Sequence, residues 1–260
     1  MKISEMLYDA VKYPFSGIKQ LFLLGLMILI TVSILEYYNQ LYPYLYPAFG
    51  DNSLKLVILL ILVALILLFF EAGYAFRIVE NGVIGIEDPP RLNNFTNMFK
   101  HGINETILIL IYFLAPLLIL FYFLGYTLYE IRLGMPVVNL EIAAIFIITA
   151  FVLGFILDMI FTVAIPHMAF KGGSFKEAFR FHEIFRKIKK IGLKQFFIGY
   201  LIVILGIVVI GGPFLIGILG KSSIFGFVIA EELIAPYVIM LDSRFIALLY
   251  RESYLRSTCH

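Results

Sequence analysis

Six apolar stretches, each long enough to cross a bilayer, leave this chain few folds to adopt. They run at about Ile18–Tyr38, Leu54–Phe76, Ile103–Tyr129, Leu140–Ile165, Leu193–Leu219 and Ile224–Tyr250, and a bilayer core takes about 20 helical residues. All are too long for barrel strands, and the helix is the other structure that satisfies its own backbone in lipid. Of the 260 residues, 62% are hydrophobic and only 15% charged, against roughly 45–50% apolar in ordinary globular domains. Too little polar surface exists to cover a soluble body of this size. The expected fold is all-α: a polytopic membrane protein, one domain over residues 1–260. Its six transmembrane helices form three hairpins, each preceded by an amphipathic interfacial helix.

Lysine and arginine set the expected orientation. Seventeen of the 20 sit with the two termini, the second loop and the fourth loop; Lys55, Arg132 and Lys221 are the remainder. Both termini are therefore expected on the cytoplasmic face. A formal net charge of +2 is too balanced to imply nucleic acid. With Cys259 the single cysteine, no intramolecular disulfide is possible. Tyr37, Tyr38, Tyr42, Tyr44 and Tyr46 crowd the first outer loop of a chain without tryptophan. They read as an aromatic belt, with stacking on a ligand as the competing interpretation.

A threefold pattern runs through the chain. Gly17-Ile18-Lys19-Gln20, Gly102-Ile103-Asn104-Glu105 and Gly192-Leu193-Lys194-Gln195 each open a span, at spacings of 85 and 90 residues. Ahead of them lie amphipathic stretches at Ile3–Phe15, Leu92–Phe99 and Phe175–Ile191. Three repeats are expected, over residues 1–76, 92–165 and 175–250, each stabilised by its neighbours. In the third amphipathic stretch Ser174 and Glu177 have capping-box spacing, and apolar residues recur at helical intervals. Arg180, Arg186, Lys187, Lys189, Lys190 and Lys194 crowd its remaining surface. Such a helix suits the headgroup plane and anionic lipid, although a purely topogenic basic loop accounts for the same charges.

Acidic residues inside the spans carry the sharpest chemistry. Glu71, Asp158, Glu231 and Glu232 all fall in even-numbered helices, with Asp242 nearer the end of the sixth. A charge near the bilayer centre costs roughly 2.5–3.5 kcal/mol on insertion scales, so it faces the bundle interior or water. No Lys or Arg lies at matching depth in the sequence, which points to proton or cation binding. An interfacial location is the competing reading for Glu71, six residues before Arg77, and for the Glu231-Glu232 pair. Pro116, Pro166, Gly211-Gly212-Pro213 and Pro236 interrupt or end apolar runs, as in the discontinuous helices of transporters. The Gly211–Pro213 break also fits the plain outer end of a helix.

No nucleophile–base pair, phosphate loop or HExxH zinc motif is present, so no enzyme activity, cofactor or metal is expected. His167 and His182 with Glu183 offer metal-ligand chemistry, but solvated interfacial histidines are the reading adopted.

Several short motifs resemble one family. They are Tyr13-Pro14-Phe15, Gly73-Tyr74 with Arg77, the Gly85…Pro89-Pro90…Phe95…Gly102 loop, and Ile111-Tyr112…Pro116. Phe175…Phe179-Arg180-Phe181…Glu183-Ile184…Ile191-Gly192 and Leu249-Tyr250-Arg251-Glu252 complete the set. Together they look like the archaeal membrane family called domain of unknown function 4013. The resemblance implies an archaeal plasma membrane setting and no established activity. Two functions are carried forward. In one, a small solute, proton or cation is bound or translocated through Asp158, Glu231, Glu232 and Glu71. In the other, a non-transporting scaffold organises membrane lipid or a protein partner through the basic segment.

Overall fold

The computed structural model describes residues 2–50, 52–132, 140–210, 212 and 223–258. Apolar sequence with few breaks gives helix throughout, and no strand occurs among the described residues. In order these are α1 (Ile3–Ser16), α2 (Ile18–Phe49), α3 (Asn52–Ile84), α4 (Phe95–Arg132) and α5 (Leu140–Phe170). A 3₁₀ turn at Phe175–Phe179 leads into α6 (Phe181–Ile191) and α7 (Leu193–Ile210). Then α8 (Ile224–Ile229) runs through a π-helical turn (Ala230–Ile234) into α9 (Ala235–Thr258). Among the described residues five helices are long and apolar enough to cross a membrane, and the α6–α7 pair, bent by 92°, allows a sixth. The Gly211–Pro213 break, Lys221 and the Cys259 end lie wholly or largely outside the described residues.

The sixth expected span is the hub. From Ser243 to Tyr250 every residue of α9 is buried, because α1, α2, α3, α5, α6 and α7 all pack around it. Met6 and Ala10 of α1, Phe76 and Val79 of α3, and Ile184 and Ile188 of α6 meet it in one apolar core. α1 joins through the spacing of Met6, Ala10 and Tyr13, which places all three on one helix face. Its start is capped by Glu5, whose carboxylate accepts the Lys2 backbone N–H at 2.9 Å.

The three glycines of the threefold pattern do three different jobs. Gly17 separates α1 from α2. Gly192 turns α6 into α7 at φ 95°, a left-handed conformation that only glycine adopts freely. Gly102 breaks nothing: α4 is continuous from Phe95, so Leu92–Phe99 forms no separate interfacial helix. Its hydrogen lets α4 press onto α3, since a Cβ there would lie 1.7 Å from the Phe69 carbonyl oxygen.

The third amphipathic segment also differs from expectation. Instead of one helix from Phe175 to Ile191, the 3₁₀ turn and α6 meet at Arg180. Ser174 makes no side-chain cap. Glu177, the expected capping partner, pairs with Arg180 at 3.2 Å instead.

Candidate functional site: an acidic cavity between five helices

Three carboxylates from three helices line one cavity of about 290 Å³: Glu105 of α4, Asp158 of α5 and Asp242 of α9. α3 contributes Ala75 and Val79, and α7 closes the space with Tyr200, Val203, Ile204 and Ile207. No Lys or Arg is among its lining residues that the structure describes. Asp242 lies within electrostatic reach of both Glu105 and Asp158, and so links the set.

Each acid is held differently. The Tyr200 hydroxyl donates to Asp158 Oδ2, which orients that carboxylate toward α7. The Asp158 carbonyl accepts the Thr162 hydroxyl at 2.9 Å, and Pro166 one turn further removes the N–H that would have bonded the Thr162 carbonyl. Glu105 is 8% exposed, and its Oε2 has no hydrogen-bond partner among the described residues. An unmatched buried acceptor costs about 1–3 kcal/mol, so this oxygen is poised for a proton, water or cation.

A second, mostly apolar cavity of about 440 Å³ lies between α4, α5 and α7. It shares Asp158, Tyr200 and Ile204 with the first. The hydrogen-bonded Asp158–Tyr200 pair is thus the partition between an apolar groove and the acidic chamber.

The remaining acids predicted from sequence go elsewhere. Glu71 of α3 accepts a 2.6 Å hydrogen bond from Thr31 of α2 and lies near Glu231. Glu231 and Glu232 occupy the π-helical turn before α9. Such turns inside helices recur at functional sites. Here the turn brings the Glu232 carbonyl against α2, where a Cβ on Gly25 would come within 2.1 Å of it. The structure therefore brings Asp158 together with Glu105 and Asp242, and Glu71 with the turn that carries Glu231 and Glu232.

Glu105 is the residue that sequence reasoning missed. It reads as part of the polar entry to the third span, yet α4 begins at Phe95, which places Glu105 ten residues inside the helix. The face made by His101, Glu105, Leu108 and Tyr112, all buried, is the signal that marks it as interior.

The basic segment divides as well. Arg186, Lys189 and Lys190 are exposed, opposite the buried Ile184, Ile188 and Ile191, and Lys194 at the start of α7 is exposed as well. Lys187 instead lies over the rings of Phe170, Tyr250 and Tyr254 at 5.1–5.7 Å. Arg180 is bound to Glu177 and Glu183. His182 is exposed, as expected, but His167 is completely buried rather than solvated.

Long apolar helices around a buried acidic chamber define a membrane-embedded helical protein. The chain belongs to the family described as protein of unknown function (DUF4013), whose model matches residues 56–220. That match takes in Glu71, Glu105 and Asp158, but stops short of α9 and Asp242. No curated protein and no solved structure matches the chain.

Proposed function

We propose that this protein binds a proton or small cation in the Glu105–Asp158–Asp242 chamber and passes it across the membrane. It would do so as a six-span, three-repeat bundle of the plasma membrane with both termini cytoplasmic. One observation carries the reading: three carboxylates line one chamber without a lysine or arginine among its described lining residues. Each acid at bilayer depth costs roughly 2.5–3.5 kcal/mol, and a bound proton or cation offsets that cost. The Asp158–Tyr200 partition supplies a point at which protonation of one carboxylate would change contact with the outer groove. The Glu71 and Glu231–Glu232 group offers a further acidic station at the turn before α9.

The test is flux in proteoliposomes under imposed proton, sodium and potassium gradients. Glu105→Gln, Asp158→Asn and Asp242→Asn are each expected to lower flux at least about tenfold, as loss of a required ionisable group does. Helical content by circular dichroism should stay unchanged. Flux equal to wild type in all three variants removes the chamber from any mechanism.

A second reading rests on the exposed cations of α6. The 92° bend at Gly192 turns α6 across the direction of α7, and its polar face carries Arg186, Lys189 and Lys190. That geometry suits a scaffold lying on anionic headgroups. Reversing those three charges should abolish co-purification of anionic lipid if this reading is correct; retention of the lipid would sink it.

A further inference from the structure

A second cluster sits at the far end of α5, nine residues along the helix from Asp158. His167 Nε2 faces two carboxylate oxygens, Glu183 Oε2 at 3.5 Å and Glu177 Oε2 at 3.8 Å. The ligand atoms of the three residues all lie within 4.8 Å of one another. We propose that His167, Glu177 and Glu183 form a three-ligand site for a divalent transition-metal ion, with Zn²⁺ the best fit.

The spacing argues for an ion rather than for direct pairing. His167 is completely buried, and neither its Nε2 nor Glu177 Oε2 has a hydrogen-bond partner among the described residues. Direct pairing would close these gaps to the 2.7–2.9 Å of charge-assisted bonds. Donors about 2.0–2.2 Å from a tetrahedral zinc stand ~3.3–3.5 Å apart, close to the separations seen. An imidazole nitrogen with two carboxylate oxygens is a donor set that zinc accepts, and water would complete the fourth position.

The surroundings have the features of a supporting shell. His167 Nδ1 is 2.8 Å from the Tyr250 hydroxyl; a proton on Nδ1 donates to that oxygen and leaves the Nε2 lone pair for metal. Arg180 holds the opposite oxygens, Glu177 Oε1 at 3.2 Å and Glu183 Oε1 at 3.1 Å. That fork turns both Oε2 atoms toward the histidine. Three separate pieces of backbone are joined here: the end of α5, the 3₁₀ turn and the start of α6. Metal binding would therefore clamp α6 against the bundle. Glu177 had no metal role in the sequence, where the histidines drew attention; the exposed His182 takes no part.

The test uses untagged full-length protein in detergent, with Cys259→Ala and His260→Ala removing the terminal thiol and imidazole. After chelation the protein is equilibrated with Zn²⁺ and its metal content read by mass spectrometry. About one Zn²⁺ per chain is expected, with affinity lowered at least about tenfold in Glu177→Gln and in Glu183→Gln, the size of loss that even outer-shell changes produce. Glu183→Gln is the safer variant for folding, because that side chain is about one quarter exposed. Co²⁺ should give visible d–d bands that the same variants lose. No zinc uptake by the parent protein, or zinc affinity in both glutamine variants equal to the parent's, overturns the assignment.

Discussion

The two halves of α4 are built on opposite plans. Up to Pro116 a buried residue recurs every three or four positions: Met98, His101, Gly102, Glu105, Leu108, Tyr112 and Pro116. From Leu117 to Tyr129 none is buried. α5 mirrors this, with residues 163–169 all buried and residues 141–149 not. At one end of the hairpin polar groups lock the packing. There the Tyr112 hydroxyl donates to the Ala178 carbonyl at 2.7 Å, and Arg77 holds the loop before α4 through the Arg91 and Asn93 carbonyls. At the other, ring contacts of Phe146 with Tyr122 and Phe123 join two otherwise outward-facing apolar surfaces. Apolar side chains gain little from leaving lipid, so a membrane helix packs where small residues and hydrogen bonds permit close approach. Both proposed sites lie in the locked half, where carboxylates can be held in fixed geometry.

The strongest way to break this contrast is to fill the α3–α4 crossing. Gly102→Ala puts a methyl 1.7 Å from the Phe69 carbonyl oxygen and 2.9 Å from the Gly73 nitrogen. Both obstacles are backbone, so the helices must separate, and a loss of at least about 3 kcal/mol is expected. In the other half, Gly125 has nothing within 4 Å of the same position. Gly125→Ala should be neutral or stabilising by up to about 1 kcal/mol through helix propensity. Thermal unfolding followed by circular dichroism separates the two, since the chain has no tryptophan to report by fluorescence. Equal tolerance at both glycines would mean that the crossing does not hold the bundle together.

Arg244 comes next. Its side chain is buried and bonds Asp9 through Nε at 2.7 Å and Nη2 at 3.3 Å, while Nη1 donates to the Ile86 carbonyl at 2.7 Å. It also lies 4.9 Å from the centre of the Tyr13 ring. Burial raises the Tyr13 phenol above the ordinary tyrosine range, and the Arg244 charge pulls in the opposite direction. One guanidinium thus joins α1, the loop after α3 and α9. Arg244→Met is expected to cost about 3 kcal/mol, near the lower end for breaking a buried ion pair, because Asp9 is about one third exposed. Asp9→Asn should cost less. The reverse order would show that the Ile86 and Tyr13 contacts contribute nothing.

Long apolar runs were readable because lipid forces every backbone group into a helix. The locks were not, because each joins residues far apart in sequence. Arg244 looks like one more basic residue in a terminal segment until Asp9, 235 positions away, meets it. Asp158 was legible as an acid in an apolar run, but its companions depended on which face of α4 and α9 turns inward. Asp242 lies two residues from Arg244, and nothing local shows that one enters the chamber while the other faces α1. The reading of His167 as a solvated histidine failed for a related reason. The break at Arg180 turns Glu177 and Glu183 together toward His167 and leaves His182 outside.

The smallest effect tests whether hydrogen bonds to the 3₁₀ turn contribute to the locked half. Tyr112 is 5% exposed and its hydroxyl reaches the Ala178 carbonyl from 66 positions away. Tyr112→Phe keeps the ring contacts with Phe161, Phe179 and Phe181, so the change isolates one hydrogen bond. The acceptor carbonyl remains buried, and a loss of about 1–1.5 kcal/mol is expected. Tyr122→Phe, at a side chain 66% exposed in the outward-facing half, should shift stability by less than about 0.5 kcal/mol. The two variants are chemically identical changes on one helix. A larger loss at Tyr122 would place the stabilising contacts in the half that faces outward, and the contrast between the halves would not survive it.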